Sequence, residues 1–293
     1  MTRTVVVGAS GLVGRALIAA LAPTEEVVAV VRTHHADMAG VNQVIADLVD
    51  PSFADALPKR ADAVVHLAQS DLYASFPDGA DHVVAVNLYA LAKLLSWCRN
   101  AGVRTFVHAS TGGLYGRGAT AFAEADQVQV GGPLSFYFRT KQCAEYLAHE
   151  YAGYFNVVAL RPFFIYGRRQ RANMLMPRLI ASIWDGRPIR LAGPHGMRLN
   201  PLHVFDMVTA VQLALGLRGN HLFNVAGPEI LSIRSIAETL GRALRRRPIF
   251  ELEPEDPAGD VIGDISNLRQ RGWSPRILFE QGAQDICRQA ETW

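Results

Sequence analysis

The chain has 293 residues, 49% of them hydrophobic, and a net charge of +2 from 29 basic and 27 acidic residues. That length suits one large α/β unit or two average domains, with ample apolar material for a core. The near balance of charge gives no electrostatic case for binding nucleic acid or an anionic membrane. Cys98, Cys143 and Cys287 are odd in number and lack metal-ligand spacing, so neither a disulfide framework nor a metal site is expected and a cytoplasmic setting fits. A first strand from Thr4 leaves no room for a cleavable leader, and Arg15 interrupts the apolar run Leu12 to Ala22, so no membrane span is expected. His34 and His35 read as solvated loop residues, and Cys143 as a buried helix cysteine with no activating histidine beside it.

Short β-branched runs alternate with helical stretches from Thr4 to Gly167. The predicted strands are TVVVG (4–8), VVAVV (27–31), QVIA (43–46), AVVHLA (63–68), TFVHAS (105–110) and VVALR (157–161). Several are apolar throughout, as strands buried on both faces are. LVGRALIAALA, the stretch 80–100 and SFYFRTKQCAEYLAHEY supply the helices between them. This order predicts an α/β fold, a Rossmann doubly wound parallel sheet over 1–167 with a ligand at the carboxyl ends of its strands. Beyond Gly167 the texture becomes basic and irregular, then turns to short apolar runs, and predicts a smaller α/β substrate lobe over 168–293, partly interleaved with the first domain. The basic run Arg245 to Arg247 closes a helix-like segment, where cations complement the helix C-terminus.

Gly8, Gly11 and Gly14 stand in GASGLVG, directly after a strand and directly before a helix. That context suits a pyrophosphate: the first glycine permits the turn, the second a close backbone approach, the third tight helix–strand packing. Ser10, Leu12 and Val13 complete the predicted cofactor loop. A carboxylate at the end of the second strand commonly holds the ribose of NAD, but here the strand runs into Arg32. Arg32 suits a 2′-phosphate, so NADP is favoured over NAD. Asp47, followed by Leu48, either reaches the adenine edge or caps its own turn.

Tyr137 and Lys141 are four residues apart in SFYFRTK and so share one face of a helix. A phenol with a pKa of about 10 needs a shift of roughly three units, about 4 kcal/mol, to act near neutrality. A neighbouring ammonium can supply much of that.

GASGLVG, VVHLA, Asn87 in VNLYALAKLL, HASTGGLYG, YFRTK, LRPFFIYG, RLNPLHVFDMV, FNVAG and DISNLRQRGWSP occur in the order of the extended short-chain dehydrogenase/reductase family, and the chain resembles its nucleotide-sugar epimerase, dehydratase and reductase group. The resemblance implies that Tyr137 is the general acid or base, that Lys141 holds the nicotinamide ribose and lowers the phenol pKa, and that Thr111 bonds the reacting oxygen. Ser110 then supports the loop, Asn87 stands on the cofactor side, and Leu67, Ala68 and Gln69 line the nicotinamide. His203 and Asp206 take structural roles. A homodimer through the helix carrying Tyr137 and the helix before it is expected by analogy.

Dehydratases of the group follow the threonine with an acidic pair, whereas Thr111 is followed by Gly112 and Gly113. What remains is hydride transfer at a secondary alcohol or ketone of a nucleotide-activated sugar, as a ketoreductase or dehydrogenase. The alternatives are an epimerase working through a transient ketone and, less favoured, a non-catalytic NADP-sensing protein. Substrate contacts are expected at Thr111, Asn173 and Arg198, with Phe164 where relatives carry an asparagine and Met174 just before LMP. Arg168, Arg169 and Arg171 add positive charge or form a solvated loop.

Overall fold

The computed structural model describes residues 1–38, 40–254 and 259–290. The predicted C-terminal range 168–293 therefore includes 255–258 and 291–293, which lie outside the described residues. In chain order the first elements are β1 (Arg3–Val7), α1 (Leu12–Leu21), β2 (Glu26–Val31), β3 (Asn42–Ile45) and β4 (Ala63–His66). Next come α2 (Ala80–Val84) and α3 (Ala90–Asn100), joined by the π-helical turn Ala85–Tyr89, then β5 (Thr105–Ala109), α4 (Ser135–His149) and β6 (Asn156–Pro162). The remainder is β7 (Ile165–Tyr166), α5 (Leu175–Trp184), β8 (Ile189–Ala192), β9 (Arg198–Leu199), β10 (Leu202–His203), α6 (Val204–Gly216), β11 (Asn220–Val225), β12 (Leu231–Ser232), α7 (Ile233–Leu244), β13 (Phe250–Glu253), α8 (Ser266–Gln270) and α9 (Phe279–Ala290).

Seven strands form one sheet in the order β11-β6-β5-β4-β1-β2-β3, and the ladders from β6 to β3 are parallel. The strand order reverses between β1 and β4, so their carboxyl ends flank the switch point where such sheets bind ligands. Val5, Val6, Val64, Val65, Phe106 and Val107 have no solvent exposure, which explains why these strands read as continuous apolar runs. Gly14, Leu17, Ile18 and Leu21 form the buried stripe of α1 at helical spacing.

The chain folds into two compact units. One comprises Met1–Leu114, Val128–Arg161 and Val208–Phe223, and the other Tyr115–Gln127, Pro162–Met207 and Asn224–Trp293. The sequence reading places the boundary at Gly167 with the second lobe partly interleaved, and here each unit is assembled from three segments. The ladder between β11 and β6, with the Val157 amide donating to the Gly219 carbonyl at 3.1 Å, draws the third segment into the first unit. The core of the first unit joins sheet residues such as Val30 and Phe106 to Leu91, Leu94 and Leu95 of α3. The second has its own core of Tyr166, Met176, Leu179, Leu191, Leu240 and Phe279, to which the short pairs β7/β10, β9/β12 and β8/β13 contribute Tyr166, Leu199 and Leu191.

Gly8 sits at φ +86°, and a Cβ there would lie 2.7 Å from the Ala68 amide nitrogen at the end of the neighbouring strand connection. Both the backbone conformation and the close approach demand glycine. Gly8→Ala is expected to destabilise the fold by about 1–3 kcal/mol, read as a lower urea midpoint with an unchanged denaturant slope. A midpoint equal to that of the parent would refute the account.

Candidate active site

The loop between β1 and α1 is a cradle of backbone. A Cβ on Gly14 would lie 2.7 Å from the Ala9 carbonyl oxygen, and one on Gly11 would lie 3.3 Å from that of Gly8. Gly11 caps α1 in extended conformation without a side-chain hydrogen bond, so the amides of the first turn are not satisfied by a capping side chain. A helix N-terminus of this kind favours an anion, and the loop therefore fits a dinucleotide pyrophosphate. Ser10, Leu12 and Val13 lie in this turn; the Ser10 carbonyl accepts from Arg15 Nε at 2.9 Å. At the end of β2 the exposed guanidinium of Arg32 donates to Asp71 at 2.7 Å. The Asp47 carboxylate accepts from the Val49 amide at 3.1 Å, ahead of which lies Leu48.

Helix α4 lays Tyr137, Thr140, Lys141, Ala144 and Ala148 against the sheet at three- and four-residue spacing. Lys141 Nζ donates to the Ala109 carbonyl at 2.8 Å, and Ser110 Oγ donates to Glu145, so α4 grips the carboxyl end of β5 at consecutive residues. Thr111 follows at once, its Oγ1 accepting from the Gly113 amide at 3.1 Å. A Cβ on Gly113 would lie 2.5 Å from Cζ of Phe138, so that aromatic ring fills the place a larger residue after Thr111 would need. Gly113 thus gives room to a ring of α4, besides marking the absence of an acidic pair.

On the other side of the phenol, Tyr137 Oη donates to Gln69 Oε1 at 2.7 Å. Tyr73 approaches the same ring at a centroid distance of 5.4 Å. Asn87, buried in the π-helical turn, accepts from the Ser70 amide at 3.0 Å and donates to Thr140 Oγ1 at 2.9 Å, and Thr140 donates to the Tyr137 carbonyl at 2.7 Å. Asn87 therefore links the loop carrying Leu67, Ala68 and Gln69 to the helix carrying Tyr137. Single-turn π-helical insertions are frequent at such functional positions.

The electrostatics of the tyrosine differ from the sequence expectation. Burial, and after it Tyr73, push the Tyr137 phenol above its ordinary value, and no lowering by Lys141 is seen. Burial lowers Lys141 to about 8, with Glu145 acting in the opposite sense. The ammonium is thus charged at neutral pH while the phenol holds its proton. Cys143 is a second correction: it is exposed, because the inward face of α4 runs through residues 140, 141 and 144 and leaves residue 143 outside it. His34 is exposed as expected, but His35 is half-buried against Arg15 at 3.2 Å.

In the second unit, Phe164 holds φ +42°, a left-handed backbone that a bulky residue rarely adopts, and packs against the core containing α5. Asn173 is exposed just before α5, whose N-cap is Met174. Arg198 donates through Nε to Asp260 at 2.8 Å, and Arg168 lies 3.7 Å from Asp285. Asp206 accepts from the amides of Arg276 and Ile277 at 3.0 Å each, a structural role. A cavity of about 280 Å³ lies against α5 and α9, among Met176, Pro177, Ile180, Trp184 and Ile286; of the residues singled out in the sequence, Arg169 lines it. Among the described residues, no helix is long and apolar enough to cross a membrane, and no group of His, Cys, Asp or Glu is arranged to hold a metal.

The family model described as "NAD dependent epimerase/dehydratase family" matches residues 4–226. The chain belongs to this family. The "Uncharacterized UDP-glucose epimerase YtcB" of Bacillus subtilis (strain 168) is 31% identical over 238 residues, 78% of this chain and 72% of that protein. The "UDP-glucuronate 4-epimerase" of Thermodesulfobacterium geofontis (strain OPF15) is 28% identical over 227 residues, 75% of this chain and 69% of that protein. Among solved structures, MoeE5 in complex with UDP-glucuronic acid and NAD superposes with a TM-score of 0.84 at 26% identity, covering 99% of both chains. This epimerase/dehydratase-family chain is accordingly an enzyme of the extended short-chain dehydrogenase/reductase type on a Rossmann fold, built for a nicotinamide dinucleotide.

Sequence reasoning passed over Gln69 as a partner of the phenol, Tyr73, the Glu145–Arg161 pair and two histidines beneath Lys141. Only the histidines left a signal, a polar residue inside each of two strands otherwise apolar. His66 on β4 and His108 on β5 are fully buried, with Nδ1 atoms 3.0 Å apart and neither Nε2 partnered. Burial, then the charge of Lys141, lowers His66 to about 3 and His108 well below its usual range. Both are neutral in the folded state, whereas the unfolded chain binds their protons below about pH 6.5. Stability is therefore fully present above that value and is lost as pH falls toward the folded-state values. Urea titration is expected to show a loss of about 2 kcal/mol per histidine between about pH 7 and about pH 5. A stability independent of pH in this window would contradict the neutral pair.

Proposed function

We propose that this family member transfers a hydride between a bound dinucleotide and a secondary alcohol or ketone of a uridine diphosphate sugar, with net reduction or oxidation as the outcome. The observation that carries the reading is the grip of α4 on the end of β5, which puts Lys141, Ser110 and Glu145 in contact across residues 109–110 immediately before Thr111. The dinucleotide, when bound, supplies or accepts the hydride. The chain's part is to manage the proton on the sugar oxygen: Tyr137 gives or takes it, Thr111 holds that oxygen, and the Lys141 ammonium orients the ribose. Gly112 and Gly113 follow Thr111 in place of an acidic pair, and Phe138 packs against Gly113, so elimination of water is disfavoured.

For the nucleotide end of the substrate, Phe164, Asn173 and Arg198 remain the proposed contacts. The strained backbone of Phe164 and the exposure of Asn173 suit such roles, and a diphosphate would take Arg198 from Asp260. Epimerisation is the second reading, favoured by the names of the two curated relatives. A cytoplasmic homodimer belongs to the same proposal, and the exposed Val84, Tyr89, Tyr146 and Leu147 on α2, the π-helical turn and α4 suit a helix-to-helix contact. Incubation with UDP-glucose or UDP-glucuronic acid, the ligands of the superposed neighbours, separates the outcomes. Net change in cofactor absorbance means reduction or oxidation, and inverted product without it means epimerisation. Tyr137→Phe is expected to slow turnover by roughly 10²- to 10⁴-fold with the fold intact; turnover at the parent rate would refute the role of the phenol.

The cofactor is proposed to be NAD. Arg32 pointed to NADP, but its guanidinium is paired with Asp71, a carboxylate that would stand close to any 2′-phosphate bound there. The pair is solvent-exposed and worth about 0.2–1 kcal/mol, so the preference is narrow. Asp71→Asn is expected to raise NADPH affinity about two- to fivefold while leaving NADH affinity nearly unchanged, by fluorescence titration. Tighter NADPH than NADH binding by the parent would overturn the proposal.

A further inference from the structure

Glu145 lies two turns beyond Tyr137 and one beyond Lys141 on the same face of α4. Its carboxylate accepts from Ser110 Oγ, from Arg161 Nε at 2.8 Å and from Arg161 Nη2 at 2.6 Å. Both partners of the ion pair are almost wholly buried, with side-chain exposures of 6% for Arg161 and 9% for Glu145. A buried ion pair is weak evidence of stabilisation, since desolvating both charges offsets their attraction and apolar replacements are often as stable. The contacts of this pair suggest another reason for its presence. Lys141 holds the carbonyl of Ala109 and Glu145 holds the hydroxyl of Ser110, two consecutive residues before Thr111.

We propose that Glu145, anchored by Arg161, is a positioning residue for the reaction centre, keeping Lys141 charged and fixing the strand end that presents Thr111. The proposal rests on the reading of Tyr137 and Lys141 given above and extends it. The groups that face Lys141 leave Glu145 as its nearby source of negative charge. His66 on β4 and His108 on β5 are neutral, Tyr137 keeps its proton, and Arg161 on β6 is cationic. Burial works against the ammonium and Glu145 for it. Arg161 in turn orients the carboxylate through two bonds, which leaves the Ser110 contact in one geometry.

The test uses the full chain and NADH, followed by its fluorescence across about pH 6 to about pH 10. Binding that depends on the ammonium of Lys141 is expected to weaken with a midpoint near 8 in the parent, and Lys141→Met should remove that limb. Glu145→Gln removes the anion while Arg161 stays, and its midpoint is expected to fall by about one pH unit, with its fold checked by circular dichroism. Because that variant leaves the buried Arg161 without its counter-ion, Arg161→Gln and the double variant Glu145→Gln with Arg161→Gln give the same comparison on a background without the cation, the midpoint of the double variant lying about one pH unit below that of Arg161→Gln. Ser110→Ala, which keeps the charge of Glu145, should leave the midpoint in place and lower single-turnover hydride transfer from UDP-glucose or UDP-glucuronic acid by roughly tenfold or more. An unmoved midpoint in folded Glu145→Gln, a double variant with the same midpoint as Arg161→Gln, or an equal shift in Ser110→Ala overturns the electrostatic role of Glu145. Parent-like hydride transfer in Ser110→Ala overturns its role at the strand end. Either result leaves the reading of Tyr137 standing, because that depends on the separate Tyr137→Phe measurement.

Discussion

The Lys141 ammonium donating to the Ala109 carbonyl is the contact on which the arrangement of the site depends, because it makes the end of a parallel strand and the face of a helix one object. A strand that ends at residue 109 leaves its last carbonyls without ladder partners, and a buried carbonyl must find a donor. Lysine at this point of α4 satisfies that carbonyl and places a charge beneath the cofactor side of the sheet. Ser110 and Phe138 continue the same seam, one through Glu145 and one against Gly113. With three contacts over five residues the strand end has little freedom to swing. Thr111, which lies within that stretch, inherits its position from packing rather than from any contact of its own with the phenol.

The charge of Lys141 has consequences in both directions from the seam. Burial lowers it to about 8, so the ammonium persists at neutral pH with a modest margin. The two histidines below it are neutral and share one short contact, an arrangement that adds no second positive charge to the interior. The tyrosine above it keeps its proton and donates to Gln69. On the proposed reading the resting site is an acid with its proton in place, beside one cation. Proton donation to a developing alkoxide starts from that state directly; proton removal from an alcohol requires the phenol to be ionised first.

Fold and reaction centre were legible in the sequence for different reasons. Continuous apolar strands and the glycine spacing pointed to the parallel sheet and the loop, because burial on both faces and close backbone approach leave direct marks at Val5 to Val7 and at Gly8 and Gly14. Tyr137 and Lys141 were legible through helical periodicity together with the family motifs. The same periodicity, applied to Cys143, would have placed it outside the stripe, and the expectation of burial failed by treating composition as position. Arg32 was read without Asp71 because the two are brought together only by folding, across 39 residues. Glu145 and Arg161 were missed for a like reason: each is an ordinary charged residue until helix and strand meet.

Gly113 and Phe138 bear on the chemistry most directly, since they turn an absence into a constraint. Two glycines after Thr111 would be weak evidence if the space beside them were open, for a side chain gained there would only need room. The Phe138 ring occupies that room at 2.5 Å from where a Cβ would stand, so a side chain at Gly113 would have to displace the ring. The same ring lies 5.4 Å from that of Tyr137, and its departure would loosen the packing around the phenol. A side chain at Gly113 would therefore disturb a ring that packs on the tyrosine. On the proposed reading such a site manages a single proton, which is what reversible hydride transfer at one carbinol carbon requires.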